Sequence, residues 1–269
     1  MLTRLLLAAA GLAWGMTLSA STYAQEAPDE RIADIVRAGK VRVALGLGTP
    51  ALALKDASTK VVRGPAVELA RALASRMGVE LETIEFASPG HIVGGLRTNP
   101  WDVTFIVIDP RRAGEVDFSP PYMTSEFTYL VGPTSSLRVA QDADRPGVRI
   151  AVGRGDASEL RLRNILKAAK LLQADTLTAA VGMVGTGEAD AFAAPRVVLF
   201  GLSAQVPGSR VLDGAFALSG YAASVPKGNA GHLAFVSDFL EQAKTSGLLT
   251  QIIEHYGLKG VEIAPAQTD

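Results

Sequence analysis

Residues 40–108 alternate between short apolar runs and amphipathic stretches with helical spacing. Runs rich in β-branched residues follow one another with a helix-like stretch between them, which is the β-α-β-α-β pattern of a mostly parallel sheet covered by helices. The last run is nearly all apolar, as expected for a parallel strand buried on both faces. The predicted elements are KVRVALGL (40–47), GPAVELARALASRMG (64–78), VELETIEF (79–86), HIVGGLRT (91–98) and DVTFIVI (102–108).

The pattern starts again after a polar stretch at residues 132–147, so we predict a second α/β unit. Two amphipathic helices, stopped by Gly247 and Gly257, follow it, and residues 261–269 are predicted to be a loose tail. In the second unit we predict strands at 148–152, 189–194 and 221–225, and helices at 156–172, within 174–188 and at 195–204.

Residues 1–24 have the form of a secretory signal peptide. One early cation, Arg4, precedes an apolar stretch that ends near Leu18, and small residues follow up to Ala24. The apolar stretch is shorter than the roughly 20 residues that a membrane span needs. We therefore expect cleavage near Ala24 and export to the periplasm.

Composition and motifs exclude several classes of function. The formal net charge is −1 at pH 7, whereas a nucleic-acid-binding protein would need a basic surface. There is no cysteine, the three histidines lie far apart, and no G-x-S-x-G motif occurs. A loose dinucleotide fingerprint from Gly46 to Ala51 is interrupted by Pro50. We expect neither a metal nor a cofactor.

Two arginines follow the third predicted strand, in the stretch IDPRRAGEVDFSPPYMTS (108–125). Arg112, at the carboxyl end of a core strand, is a candidate site residue, whereas Arg111 is predicted to face solvent. The alternative is that Arg112 only forms an ion pair with Glu115 or Asp117 at the surface.

Several segments, taken in this order, resemble the bacterial extracellular solute-binding proteins of family 3. They are KVRVAL, PAVELARALASRMGVELE, WDVTFIVIDPRRAGEVDFSPPY, VRIAVGRGDASEL, GEADAF and YAASVPKG, and the resemblance covers about residues 40–258. It implies an α/β fold of the type II periplasmic-binding-protein class, a clamshell of two lobes with two hinge crossovers. Lobe 1 would comprise 40–131 plus 220–260, lobe 2 would comprise 137–216, and the hinge strands would be 128–132 and 218–225.

The resemblance implies that Arg112 binds the carboxylate of the ligand, because it stands four residues before the Val-Asp-Phe-Ser segment. The planar fork of a guanidinium pairs with both oxygens of a carboxylate. Backbone N–H groups of Gly155, Asp156 and Ala157 would form the contribution of lobe 2, at the start of a helix.

Other positions depart from the family's pattern. The aromatic segment after the first strand is replaced by a stretch that ends at Leu52, and a threonine that helps hold the carboxylate is replaced by Val107. A Gly-Thr-Thr turn becomes Gly155-Asp156-Ala157, and the aspartate that binds the amino group aligns with Pro195. These departures leave the amino group of an amino-acid ligand without its usual partner.

Two interpretations of Asp156 remain open at this point. Its side chain either caps the helix or contacts the ligand directly, for example by receiving an ammonium group. Arg154 and Arg196 would add positive charge if they faced the cleft, and the ligand would then be a dicarboxylate or another organic acid without an amino group.

The resemblance implies a periplasmic receptor that binds a small carboxylate, an amino acid or a related organic acid, and delivers it to an ABC permease in the inner membrane. We expect a monomer without enzymatic activity. One alternative is an enzyme on the same scaffold, similar to cyclohexadienyl dehydratase, for which Asp156 and His91 are the candidate acids. The other is a module that presents its ligand to a membrane sensor.

Overall fold

The computed structural model of the chain describes residues 29–98 and 100–266. The predicted signal peptide at residues 1–24 lies outside these residues. The helices are α1 Ala33–Ala38, α2 Pro65–Met77, α3 Gly90–Gly94, α4 Ala157–Ile165, α5 Leu177–Gly185, α6 Arg196–Leu202, α7 Ala230–Thr245 and α8 Leu248–His255. The strands are β1 Lys40–Gly46, β2 Leu54–Lys55, β3 Val62–Arg63, β4 Glu80–Phe86, β5 Val103–Val107, β6 Val116–Phe118, β7 Met123–Val131, β8 Arg149–Gly153, β9 Lys170–Ala174, β10 Ala191–Pro195, β11 Arg210–Val211, β12 Ala217–Pro226 and β13 Glu262–Ile263.

A mixed sheet of 11 strands has the order β4-β1-β5-β12-β7-β10-β8-β9, with β6, β11 and β13 added beside β12 and β7. At one end β4, β1 and β5 run parallel, and at the other end β10, β8 and β9 run parallel. Helices cover both faces: alternate residues of β1 belong to separate apolar clusters, one packed under α2 and one under α3. The predicted α/β alternation is confirmed in both halves.

Two long strands, β7 and β12, connect the two parallel groups. β12 pairs with β5 through residues 221–224 and with β7 through residues 217–221. β7 in turn pairs with β10 from residue 127 to residue 131. Each long strand therefore passes from one parallel group to the other, which is the role that a hinge crossover requires. The residue limits given above for the lobes stay a prediction.

The helix predicted at 156–172 is wrong beyond residue 165. Helix α4 ends at Ile165, and residues 170–174 form β9, which pairs in parallel with β8. Between them, the Asp144 carboxylate accepts hydrogen bonds from the backbone N–H groups of Lys167, Ala168 and Ala169 at 2.8–3.0 Å. These bonds fix the backbone in a turn that cannot continue the helix.

The expectation of a loose tail also differs from the structure in its described part. Glu262–Ile263 forms β13, which pairs antiparallel with the beginning of β7. Ser125 donates a hydrogen bond to the carbonyl of Gly260 at 2.6 Å, and Ala264 is buried. In the described part of the chain, no helix is both long and apolar enough to cross a bilayer.

Candidate ligand-binding site

A cleft opens where the carboxyl ends of β1, β5, β8 and β10 face one another, as expected for ligand sites in α/β sheets. About 410 Å³ of empty space lies in the cleft and at its mouth, open solvent included. The cleft is lined by Thr49, Leu52, Pro89, Val107, Arg112, Phe127, Asp156, Ala157, Ser158, Leu177, Ala194, Pro195, Val198 and Tyr221.

Local hydrogen bonds turn the two neighbouring arginines in opposite directions. The buried Asp109 accepts the backbone N–H of Arg111 at 2.9 Å and pairs with its guanidinium at 2.8 Å, which caps a short 3-10 helix at residues 110–112. Arg111 is therefore held outside, whereas Arg112, one residue later, points into the cleft and is only 7% exposed.

Arg112 spans the cleft. Its guanidinium donates to the carbonyl of Val107 at 3.4 Å and, from the other side, to the carbonyl of Gly155 at 2.8 Å. The alternative of a surface ion pair is wrong, because Asp117 pairs with Lys227 and no carboxylate of the described residues forms an ion pair with Arg112. Because neutral carbonyl groups are the partners of the buried Arg112 guanidinium, its positive charge can still pair with an anion.

Asp156 faces the same cleft at the start of α4. It stands at the N-cap position, but its side chain makes no capping hydrogen bond. Neither carboxylate oxygen has a hydrogen-bond partner among the described residues, although the side chain is buried. A Cβ on Gly153 would lie 2.0 Å from Oδ2, and one on Gly90 would lie 3.1 Å from Oδ1. The two glycines thus make room for the carboxylate.

Burial raises the pKa of the Asp156 carboxyl to about 6. The positive charge of Arg112 opposes this rise, as does the backbone N–H of Gly90, which lies near the carboxylate but does not meet hydrogen-bond geometry; the charge of Glu159 adds to the rise. Burial likewise lowers the pKa of Arg112, while the charges of Asp156 and Asp109 raise it. The cleft therefore holds one cation and one anion that influence each other without forming an ion pair.

Two further buried hydroxyl groups lie in the wall of the cleft. The Thr49 and Tyr221 hydroxyl oxygens have no hydrogen-bond partner among the described residues. Burial raises the pKa of Tyr221 well above its ordinary value, so it stays a neutral phenol that can donate a hydrogen bond. The remaining wall is mostly apolar, formed by aliphatic side chains and by the ring of Phe127.

Most of the residues predicted for the site line the cleft: Arg112, Val107, Leu52, Asp156, Ala157 and Pro195. Gly155 requires a correction. Its N–H donates to Glu159 at 2.6 Å, and the N–H of Asp156 donates to the carbonyl of Gly153 at 3.1 Å. These two N–H groups are already used within the protein, so the predicted contribution of backbone donors from Gly155 and Asp156 is wrong.

Arg154 and Arg196, the positive charges that would suit a dicarboxylate ligand, lie outside the cleft. Arg154 is exposed and pairs with Asp175 at 2.9 Å, and Arg196 pairs with Glu126 at 2.8 Å. Neither lines the cleft. The candidate acid His91 is also absent from the lining, since its ring is exposed and bonds to the Ser88 hydroxyl at 2.8 Å.

The sequence analysis missed Phe127 and Tyr221. Each is the direct cross-strand partner of a residue that it did select. Tyr221 on β12 lies opposite Val107, and Phe127 on β7 lies opposite Pro195. The signal was therefore present only in the strand register, which the sequence pattern does not specify.

The two sides of the cleft touch at its rim with little side-chain bulk between them. A Cβ on Gly90 would lie 2.4 Å from the carbonyl oxygen of Arg154, and one on Gly201 would lie 2.4 Å from the ring of Pro50. Arg161 also reaches across, donating to the carbonyl of Ile108 at 3.3 Å. The structure is thus a closed arrangement in which small residues permit close approach.

Comparisons with known proteins agree with this architecture. A curated relative, the glutamine-binding protein of Geobacillus stearothermophilus, is 25% identical over 191 residues, which are 70% of this chain and 72% of that protein. A crystal structure of a mutant of ArgBP from T. maritima aligns with a TM-score of 0.75 and 25% identity, covering 84% of this chain and 99% of the other. AncCDT-1, an ancestral amino acid-binding protein and precursor of cyclohexadienyl dehydratase, aligns with a TM-score of 0.75 and 28% identity over 84% and 98% of the two chains.

These neighbours have the two-lobed fold of type II periplasmic binding proteins, so the predicted fold class is confirmed. The model of one protein family matches residues 41–259, most of the chain. The family consists of amino-acid-binding components of ABC transporters. The chain therefore belongs to the bacterial extracellular solute-binding proteins of family 3.

Proposed function

We propose that this protein is the periplasmic receptor of an ABC importer and binds a small carboxylate between its two lobes. The observation that carries the proposal is the buried guanidinium of Arg112, which contacts both sides of the cleft through backbone carbonyls. A ligand carboxylate would pair with it more strongly than the neutral carbonyls do, because charge-assisted bonds to arginine are roughly twice as strong.

The partners follow from this role. The ligand would favour the closed form, since it contacts residues from both lobes only when they meet. The closed form would then dock on a permease in the inner membrane. Relatives whose names include glutamine-binding and amino acid-binding proteins support an importer of this kind. We also propose export to the periplasm and a monomeric state.

Arg112→Ala tests the proposal. Binding of a panel of L-amino acids and simple organic acids would be measured by calorimetry on the chain from residue 25 onward. We expect at least one carboxylate to bind the wild-type protein, and Arg112→Ala to weaken its affinity by about 30-fold or more, since deleting one partner of a buried charge pair costs about 2–5 kcal/mol.

The matched control is Arg154→Ala. This arginine is a single residue before Gly155, but its side chain is exposed and pairs with Asp175 outside the cleft. It should leave the affinity within about twofold, as expected for an exposed ion pair. Equal losses in both variants, or binding that survives without Arg112, would contradict the proposed role.

A second candidate function is an enzyme on this scaffold. The specific observation is Asp156, a buried acid with a pKa of about 6, which lies opposite a carboxylate-binding arginine. A general acid works best with a pKa near the working pH, and one structural neighbour is a precursor of a dehydratase. Conversion of a cyclohexadienyl acid by the purified protein, lost in Asp156→Asn, would favour this candidate over the receptor.

A further inference from the structure

We propose that Asp156 binds the amino group of the ligand, and that the ligand is therefore a zwitterionic amino acid with an uncharged, mainly apolar side chain. This inference rests on the proposed receptor function and specifies its ligand. It assigns the recognition of the amino group to the start of α4, a position different from the end of β10 where the sequence comparison expected it.

The first argument is the state of the carboxylate itself. Asp156 is 93% buried by accessible area, as its exposure is 7%, and both oxygens lack a hydrogen-bond partner among the described residues. A buried charged group without a partner is costly. A ligand ammonium group carries three donors and a positive charge, and it would satisfy both oxygens at once.

The second argument is the arrangement of charge. Arg112 and Asp156 both line the cleft, yet no ion pair joins them. Backbone carbonyls hold the guanidinium on one side, and the space left by Gly153 and Gly90 holds the carboxylate on the other. Two opposite charges kept apart in one cleft match the carboxylate and the ammonium group of one α-amino acid.

The third argument concerns Pro195, which stands at the end of β10 where the family's pattern has the aspartate for the amino group. Pro195 lines the same cleft and has no charge to offer. Asp156 lines it from the neighbouring strand-to-helix junction, because β8 lies next to β10 in the sheet. Asp156 can therefore replace the aspartate that the family has at the position of Pro195, because it lies in the same lobe and one strand away.

The charge of the lining restricts the rest of the ligand. Arg112 and Asp156 are the only ionisable groups of the described lining apart from the neutral phenol of Tyr221. An arginine or lysine side chain would lack an acidic partner, and a glutamate side chain would lack a basic one. Leu52, Val107, Phe127, Leu177 and Val198 would instead contact an apolar side chain.

Binding at Asp156 should be linked to a proton. The charged and titratable groups around it are Arg112, Glu159, Tyr221 and, at the neighbouring start of α3, the exposed His91. An ammonium group favours the ionised carboxylate, so below pH 6 binding must release the proton that Asp156 carries. Affinity should be constant between pH 7 and 8 and fall about tenfold per pH unit well below pH 6.

The test compares matched ligands on matched proteins. L-alanine, L-valine and L-leucine are measured by calorimetry against their desamino acids propionate, isovalerate and 4-methylpentanoate, with L-arginine and L-glutamate as charged controls. The proteins are the wild type, Asp156→Asn and His91→Gln. Gly153→Ala serves as a second variant, because its methyl group would displace the Asp156 carboxylate without removing it.

We expect the wild type to bind an apolar amino acid at least about 30-fold more tightly than its desamino acid, a preference worth about 2 kcal/mol. Asp156→Asn should abolish this preference by weakening amino-acid binding alone, and should also abolish the loss of affinity below pH 6. Gly153→Ala should reduce the preference as well. His91→Gln should retain both the preference and the pH profile.

Three results would overturn the inference. If desamino acids bind in an Arg112-dependent manner and as tightly as amino acids, the role of Asp156 is wrong while the receptor function stands. If arginine or glutamate binds more tightly than the apolar amino acids, the neutral side chain is wrong. If no carboxylate binds at all, the proposed function fails together with the inference.

Discussion

A carboxylate that is buried without a partner lowers the stability of the folded state whenever it is ionised. The pKa of Asp156 is about 6 in the folded protein, against about 3.9 for an aspartate in an unfolded chain. The folded protein therefore binds the proton more tightly than the unfolded chain does. The contribution of this group to stability is greatest below pH 4, declines as the pH rises to about 6, and stays low above that.

Asp156→Asn should accordingly stabilise the ligand-free protein at neutral pH. An amide keeps the shape of the carboxyl group but carries no charge, so the free energy of unfolding should rise by up to about 3 kcal/mol at pH 7.5 and by only about 1 kcal/mol at pH 4.5. Urea denaturation at the two pH values measures the difference. Asp175→Asn, at an aspartate whose side chain is 79% exposed, is the control and should change stability at neither pH.

An Asp156→Asn protein that is less stable than the wild type at neutral pH would contradict this account. It would mean that the negative charge is needed to offset Arg112 in the absence of ligand. The predicted combination, a gain in stability with a loss of affinity, is characteristic of residues that are selected for binding.

The role of Arg112 could be predicted from the sequence because a long motif surrounds it. For Asp156 the sequence left two alternatives open, a helix cap or a contact with the ligand. The deciding facts for Asp156 are the burial of both oxygens and the glycines around them. Gly90 lies more than 60 positions from Asp156 in the chain, and no local pattern connects the two. The state of a buried charge depends on such distant neighbours, so the sequence pattern could not decide between the alternatives.

At the scale of elements, the main error concerned residues 166–174. Their composition suits the end of a helix, and the amphipathic pattern that starts at Asp156 continues through them. The three hydrogen bonds from Asp144 and the pairing of β9 with β8 override that preference. Tertiary contacts commonly override local propensity in this manner, because propensity differences are below about 1 kcal/mol per residue.

Asp144→Ala should therefore destabilise the second lobe. The three N–H groups lie at exposed or half-buried residues and can bind water instead, so we expect a loss of about 1 kcal/mol in the free energy of unfolding at pH 7, the net contribution of about one hydrogen bond. The hydrogen bonds to residues 167–169 keep the pKa of Asp144 below its ordinary value. The contribution is thus present above about pH 4 and is lost as the pH falls below that.

Chemical denaturation at pH 7 and pH 3 measures the effect of Asp144→Ala, and Asp175→Ala in the same lobe is the control. Asp175 only pairs with the exposed Arg154, so its loss should cost less than about 0.5 kcal/mol. Equal effects of the two substitutions would contradict the assigned role of Asp144.

At the scale of the whole molecule, the order of strands and helices was predictable because each element has a strong hydrophobic period. The contacts that close the cleft were not predictable, because they involve glycines, which do not contribute to a hydrophobic period. Gly201 in α6 approaches Pro50, 151 positions earlier in the chain, closely enough that a Cβ would overlap the proline ring. Closure of the cleft therefore depends on residue 201 being a glycine, because the methyl group of an alanine would overlap the ring of Pro50.

Gly201→Ala should weaken ligand binding by about tenfold, because the methyl group would keep the rim apart and raise the free energy of the closed form by about 1–3 kcal/mol. Neither Arg112 nor Asp156 is altered. Calorimetry gives the affinity, and small-angle X-ray scattering with saturating ligand shows whether the particle still contracts. Gly182→Ala in α5, where a Cβ would meet nothing within 4 Å, is the control. Unchanged affinity in Gly201→Ala would contradict the importance of this contact.

The central strand of the sheet is among the last parts of the chain to be synthesised. β12 pairs with both β5 and β7, yet its residues follow theirs by roughly a hundred positions, which is a large separation for contacting strands. Until Pro226 has left the ribosome, β5 and β7 each keep an unpaired edge, and the second of the two long strands that connect the parallel groups is missing. The nascent chain therefore lacks a complete sheet for most of its synthesis. Any protein that binds the nascent chain during that time binds it in an incompletely folded state.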